Sequence, residues 1–102
     1  MILDLSKPFL DLDDKPFSDG KGGDLLMSKV VAGLIVGKGK ENIIKLSDWG
    51  RDLWKKGQIS IDRQDLGIIK TIVESTEEMN ILMKAQVIEI IDSLKESKLE
   101  SI

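Results

Sequence analysis

Between residues 79 and 94 the apolar positions Met79, Met83, Val87, Ile90 and Leu94 recur at the spacing of one helical face, with Leu82 and Ile91 at its margins. A second apolar line, Ile81, Ala85 and Ile88, runs along nearly the opposite side, where a surface helix ordinarily carries charge. A helix apolar on two sides has to be covered twice, so the chain is expected to be organised around a helix over residues 79–96. Gln86 is the polar intruder at the centre of the main stripe. It either fixes a register by hydrogen bonding or meets a nearby loop carbonyl. Met79 and Met83 read as core filler before they read as an adaptable binding surface.

From the N-terminus, residues 2–5 and 9–12 alternate apolar with polar positions, the period of half-buried strands. Asp13-Asp14 stands where a tight turn belongs, before Lys15-Pro16-Phe17, so the pattern predicts a small hairpin with Pro8 and Pro16 at strand ends or on an edge. Residues 18–23 read as a flexible connector. Asp24 is placed to cap a helix over residues 24–36 that is apolar all round, although the β-branched run at 30–36 leaves a buried strand open.

In residues 42–56, Ile43, Leu46, Trp49, Leu53 and Trp54 recur at helical spacing, and Gly57 stands at the left-handed position after a helix end. Residues 58–61 alternate, enough for a short strand able to pair with the hairpin. Asp62, with Asp65 three positions on, opens a helix over residues 63–75 whose Leu66, Ile69, Ile72 and Val73 face one way. Two junctions with the last helix fit equally. Ser75 and Glu78 can form a capping box, or Asn80 can cap after a longer third helix. Residues 97–102 are expected to fray. The sum is a single domain over residues 1–102, mainly α (α+β). It comprises a hairpin and connector (1–23) and a four-helix part (24–96) with the Leu, Ile, Val and Trp positions as core.

Composition changes this picture mostly by exclusion. The chain holds no Cys and no His, which removes disulfides, thiolate nucleophiles, imidazole bases and Cys/His zinc sites. Five aspartates among the first twenty residues do not read as a secretory signal, and no stretch approaches the roughly 20 apolar residues needed to span a bilayer. A cytoplasmic protein without membrane attachment is the expectation. Net charge is −3 and uneven: three Lys face five Asp in residues 1–23, seven basic residues face four acidic in 24–56, and five face nine in 57–102. Such blocks steer association, whether with another subunit or with a charged partner.

Motifs for chemistry fail on inspection. Gly33 to Lys40 resembles a phosphate-binding loop, but Ala32 occupies the first-glycine position and Gly39 the hydroxyl position. The stretch from Asp52 to Arg63 has the Gly and Ile of a calcium loop, yet Trp54, Lys56 and Arg63 stand where oxygen ligands are needed. As the recognition helix of a DNA-reading helix-turn-helix, the helix after Asp62 offers only Arg63 and Lys70, and the last helix sets Glu89, Asp92 and Glu96 beside Lys84 and Lys95, so specific nucleic-acid binding is not expected. Carboxylate pairs one turn apart, Asp48/Asp52 and Glu74/Glu78, read as solvated charges.

Three features taken together are similar to a known group: Asp11-Leu12-Asp13-Asp14-Lys15-Pro16, the stretch from Leu53 to Asp62 (LWKKGQISID), and Ala85-Gln86 in the last helix. Their order and spacing resemble small uncharacterised proteins of tailed bacteriophages and prophages, in which an Asp-Leu-Asp-Gly-Lys-Pro turn precedes several helices. Asp14 stands where that pattern has glycine. The resemblance implies a viral origin and action in the cytoplasm of an infected cell; the group has no established activity, so no residue's role is carried over.

The function expected is therefore a non-enzymatic protein-interaction module of phage type, acting in particle assembly or on a host factor. The alternative is an oligomeric protein that sequesters a small ligand or nucleotide in a pocket between subunits, with Lys38, Lys40 and Arg51 as anion contacts. No cofactor or metal is expected. Because residues 25–36 and the line Ile81, Ala85 and Ile88 leave apolar surface to spare, self-association into a two-fold dimer or higher oligomer is predicted through that line. The competing expectation is that the N-terminal hairpin folds over the same face within one chain.

Overall fold

The computed structural model describes residues 1–38 and 42–100, with no description of the side chains at 38 and 96–100. It is a small α+β fold, 58% helical. Strand β1 (Ile2–Asp4) pairs antiparallel with β2 (Gln58–Ser60), Leu3 opposite Ile59. Helices α1 (Met27–Lys38), α2 (Ile43–Lys56), α3 (Arg63–Ser75) and α4 (Ile81–Glu100) complete the described chain.

Residues 7–26 form a turn-rich unit whose order comes from backbone bonding. The hairpin expected at Asp13-Asp14 is present: Asp11 N–H donates to Lys15 O at 2.8 Å and Phe17 N–H to Phe9 O at 2.9 Å, with Leu10 opposite Pro16. The chain then turns again and brings residues 24–26 beside both arms. Leu25 N–H donates to Phe17 O at 2.7 Å and Phe9 N–H to Leu25 O at 3.0 Å. Phe9, Phe17 and Leu25, each eight residues from the next, are thus linked in a closed ring of three hydrogen bonds. The two turns share a hydrogen-bond pattern, although the second also has Gly20 at a positive φ of 81° where the first has Leu12. Asp11 Oδ1 accepts from the amides of Asp13 and Lys15, and Asp19 Oδ1 from those of Lys21 and Gly23. The left-handed position falls on Asp14 (φ 60°) in one and Gly22 (φ 90°) in the other. Lys7-Pro8-Phe9 and Lys15-Pro16-Phe17 are the sequence trace of this repeat.

This ring corrects the expected start of the first helix. Asp24 does not cap it. Residue 24 lies opposite Ser18, and the Leu25 amide is committed to Phe17, so helix begins only at Met27. The run at 30–36 is helix, not strand, and α1 rather than α4 is the central element. It packs on α2 and α3 and against the N-terminal segment, where Met27 N–H donates to Lys7 O and Ser28 N–H to Leu5 O, both at 2.9 Å. Central placement is why α1 is apolar on most sides: Val31, Leu34 and Ile35 are buried in it beside Leu3, Leu5 and Phe9.

The later elements follow their end signals. Gly57 takes φ 76°, donates its N–H to Leu53 O and ends α2. A Cβ there would lie 2.8 Å from that of Ser6, so the β1–β2 pairing also depends on glycine at this place. Asp62 caps α3 by accepting from Asp65 N–H at 2.8 Å. The junction combines features of both expectations. The third helix stops at Ser75, Thr76 Oγ1 accepts from Glu78 N–H, and Asn80 Oδ1 caps α4 by accepting from Met83 N–H at 2.9 Å. α4 runs to Glu100 rather than ending at Glu96, since nothing in residues 97–100 breaks a helix.

In α2 the expected core divides: Leu46, Trp49 and Leu53 are buried, whereas Ile43 and Trp54 are exposed. In α4, Met79 before the helix and Val87 and Ile91 within it are buried, with Met83, Ile90 and Leu94 half-buried around them. Gln86 meets a loop backbone on both sides. Its Nε2 donates to Leu10 O and its Oε1 accepts from Leu10 N–H, each at 2.8 Å. One side chain thus substitutes for a strand partner and ties α4 to the hairpin. No helix among the described residues is long and apolar enough to cross a membrane.

Candidate protein interaction surface

The α1–α2 contact is set by small residues. A Cβ built on Gly50 would lie 2.5 Å from Val36 Cγ2 and 3.6 Å from Ala32 O, so a side chain at 50 would have to displace that of Val36. Beside this contact the outer side of the two helices is open at two further glycines. Gly33 and Gly37 present no side chain there, and an added Cβ at either would meet nothing within 4 Å. An apolar groove of about 400 Å³ results, walled by Val36 from α1 and Trp54 from α2. Both are large apolar side chains left open to solvent, Val36 at 65% and Trp54 at 55% exposure.

Trp54 is held in place. Lys29 Nζ donates to the Trp54 carbonyl at 2.9 Å and lies 4.0 Å from the centre of its ring. A cation there satisfies an end carbonyl of α2 and attracts the aromatic face. The groove's other rim is cationic too. Arg51 and Lys55 line it, and among the described residues neither has a carboxylate within ion-pair distance. Neighbouring cations differ: Lys45 pairs with Asp65 at 3.3 Å and Lys56 weakly with Asp52 at 3.9 Å.

Of the anion contacts expected from the sequence, Arg51 stands at this groove. Lys40 lies outside the described residues, as does the side chain of Lys38. The self-association line does not stay together. Ile81 is 85% exposed and Ala85 is exposed, but Ile88 is half-buried and packs on the core. The hairpin covers α4 on its Gln86 side and leaves Ile81 open. Beside Ile81 lies Leu12, at the tip of the first turn and 89% exposed. These two line one shallow concavity with Phe17, Met79 and Leu82, edged by Asp11 and Asp13. The sequence patterns around Leu12, Val36 and Gly33 do not mark them as surface. They become visible as surface only once the turn and the helix crossing are formed.

A third hollow, between β1 and α4, is mixed in character, and its polar groups serve the fold: Asp4 accepts from Ser6, and Gln86 holds Leu10. The hydrogen bonds from the Ser6 hydroxyl and amide hold the Asp4 carboxyl below its ordinary range. The amides of Lys21 and Gly23 do the same for Asp19, while the hydrogen bond to Asp92 pushes Lys70 up. All three shifts hold the group in its charged form, away from the groove. Among the described residues no three acidic side chains are grouped to hold a metal ion. Comparison with known proteins adds no relative to this geometry, since no family model, no curated protein and no solved structure matches the chain.

Proposed function

We propose that this protein works by binding other proteins rather than by catalysis, with the α1–α2 groove as its docking surface. The setting implied by the resemblance of its turn and helices is phage particle assembly or the modulation of a host factor. The observation that carries the reading is an open apolar groove, walled by an oriented Trp54 and rimmed by Arg51 and Lys55, cations without an ion-pair partner among the described residues. Exposed aromatic anchors with Arg beside them are the side chains that interfaces use most. The groove calls for an apolar knob with acidic neighbours. The absence of His and Cys supports the non-catalytic part of the reading.

The alternative, an anion-sequestering protein, draws support from the two rim cations Arg51 and Lys55, but the rest of the groove's lining is apolar. Native affinity purification of the wild type beside Gly33→Glu separates the two. The substitution fills the groove and opposes its charge, yet a side chain at 33 meets open space and favours helix over glycine. The expected result is a stoichiometric protein partner, which includes a second copy of the chain, retained by the wild type and lost by the variant. A small anion released on denaturation, with no protein retained, would replace this reading with the alternative.

A further inference from the structure

We propose that the groove's occupant is the Leu12/Ile81 knob of a second copy, so that the chain associates head to tail; this rests on the reading of the protein as a protein-binding module. The two surfaces are both apolar and are opposite in the charge at their edges. The groove is concave, apolar and rimmed by Arg51 and Lys55. The knob presents Leu12 and Ile81, the two most exposed large apolar side chains among the described residues, at 89% and 85%. Asp11 and Asp13 edge it, and Glu77 and Glu78 precede it in the chain. Opposite charge steers such faces together and fixes their register.

Charge also decides against the two-fold dimer expected from the sequence. Pairing knob with knob would set Asp11 and Asp13 against their own copies, and pairing groove with groove would do the same to Arg51 and Lys55. Like charges facing each other across an interface are costly, so each face prefers the other kind. Knob and groove share no residue, and one chain therefore offers both at once. A contact between unlike faces does not close on two copies. It repeats, to a ring if the rotation closes and to a filament if it does not.

The test uses the full chain and two variants altered only at exposed positions. Leu12→Lys with Ile81→Lys removes the knob; Gly33→Glu with Arg51→Glu removes the groove. Circular dichroism first establishes that both keep the wild-type helix content. In analytical ultracentrifugation the wild type should form species that grow with concentration, and each variant should be monomeric, its self-association weakened by roughly thirtyfold or more. An equimolar mixture should give a 1:1 heterodimer that does not grow, because one intact knob meets one intact groove. A mixture that stays monomeric overturns the proposal, and so does a variant that still forms wild-type oligomers. If the wild type is itself monomeric while Gly33→Glu abolishes capture of a different protein, head-to-tail assembly is wrong and the protein-binding reading stands. If the wild type is monomeric and Gly33→Glu changes nothing, both fail.

Discussion

The first 26 residues and the α1–α2 pair both reach the core, but they are held there by different means. Leu3, Leu5 and Phe9 are as buried as Val31 and Leu53. The N-terminal segment gets them there through directed bonds: the ring through Phe9, Phe17 and Leu25, two Asp-headed turns, and the grip of Gln86 on Leu10. The helix pair relies on the absence of atoms at Gly50 and on shape. Hydrogen-bonded order is local and tolerant of side-chain size, whereas close packing is intolerant of added volume but indifferent to charge. The two exposed faces inherit this difference. The knob sits on a turn fixed by aspartates, and the groove is the space left over Gly33 and Gly37 beside two close-packed helices.

Adding volume at the crossing should have the largest effect. Gly50→Leu forces the helices apart against a β-branched Val36 that has little rotamer freedom, and should destabilise by about 3 kcal/mol. Urea unfolding measures this. A loss below about 1 kcal/mol would mean that the crossing is not set by glycine. Because the strain is confined to helices, amide exchange at Phe17 and Leu25 should follow global unfolding in the variant and acquire no faster local route.

Gln86→Leu is the matching break on the other side. It keeps the volume but leaves the N–H and C=O of Leu10 without their partner, for an expected cost of about 2 kcal/mol. Here the readout should be local. The amides of Phe9, Phe17 and Leu25 should lose protection ahead of those in α2. Uniform loss throughout the chain would show that the N-terminal segment and the helices unfold as one unit, against the contrast drawn above.

Much of the fold was legible because its signals are local. Gly57, Asp62 and Asn80 do what their types and places indicate, and Leu46, Trp49 and Leu53 form one face by spacing alone. What was not legible depends on partners distant in sequence. Asp24 has the right chemistry for a cap, but its neighbour's amide is claimed by Phe17. Trp49 and Trp54 both fit the helical period, and only the position of α1 decides that one is buried and the other walls a groove. Ile81 and Ile88 share a face by periodicity, yet the core reaches only Ile88. Of the candidate site, Arg51 was visible as a cation, but the groove that gives it a use needs Gly33, Gly37 and Gly50 brought together.

A smaller effect tests the turn itself. Asp14 holds the left-handed conformation, which costs an L-residue strain that glycine escapes, and its own carboxylate accepts none of the turn's bonds. Asp14→Gly should stabilise by about 0.5 kcal/mol, the relief of strain exceeding the greater freedom of the unfolded chain. A rise of about 2–4 °C in the thermal midpoint is the corresponding shift. A fall would mean that Asp14 contributes through its charge.

The smallest effect separates the two regions by pH. Asp4 and Asp19 have carboxyls held below the ordinary 3.8, the first by the Ser6 hydroxyl and amide and the second by the amides of Lys21 and Gly23. A folded-state pKa below the unfolded one means that their contribution is complete above about pH 4 and is lost as pH falls through the folded values. Lys70 has the opposite sign. Its hydrogen bond to Asp92 raises it above 10.5, so its contribution is complete below that value and is lost only as pH rises through the folded one. Acid should therefore loosen the N-terminal turns, and alkali should release the α3–α4 ion pair while the turns persist. All three groups are largely solvated, so the slopes will be shallow. The comparison is made with Asp4→Asn/Asp19→Asn and with Lys70→Gln, by urea midpoints between pH 2.5 and 11. The first variant should flatten the acid limb and leave the alkaline limb unchanged, and the second should flatten the alkaline limb. Flattening of the alkaline limb by Asp4→Asn/Asp19→Asn would show that the N-terminal turns and the α3–α4 pair are electrostatically coupled and that their separation is wrong.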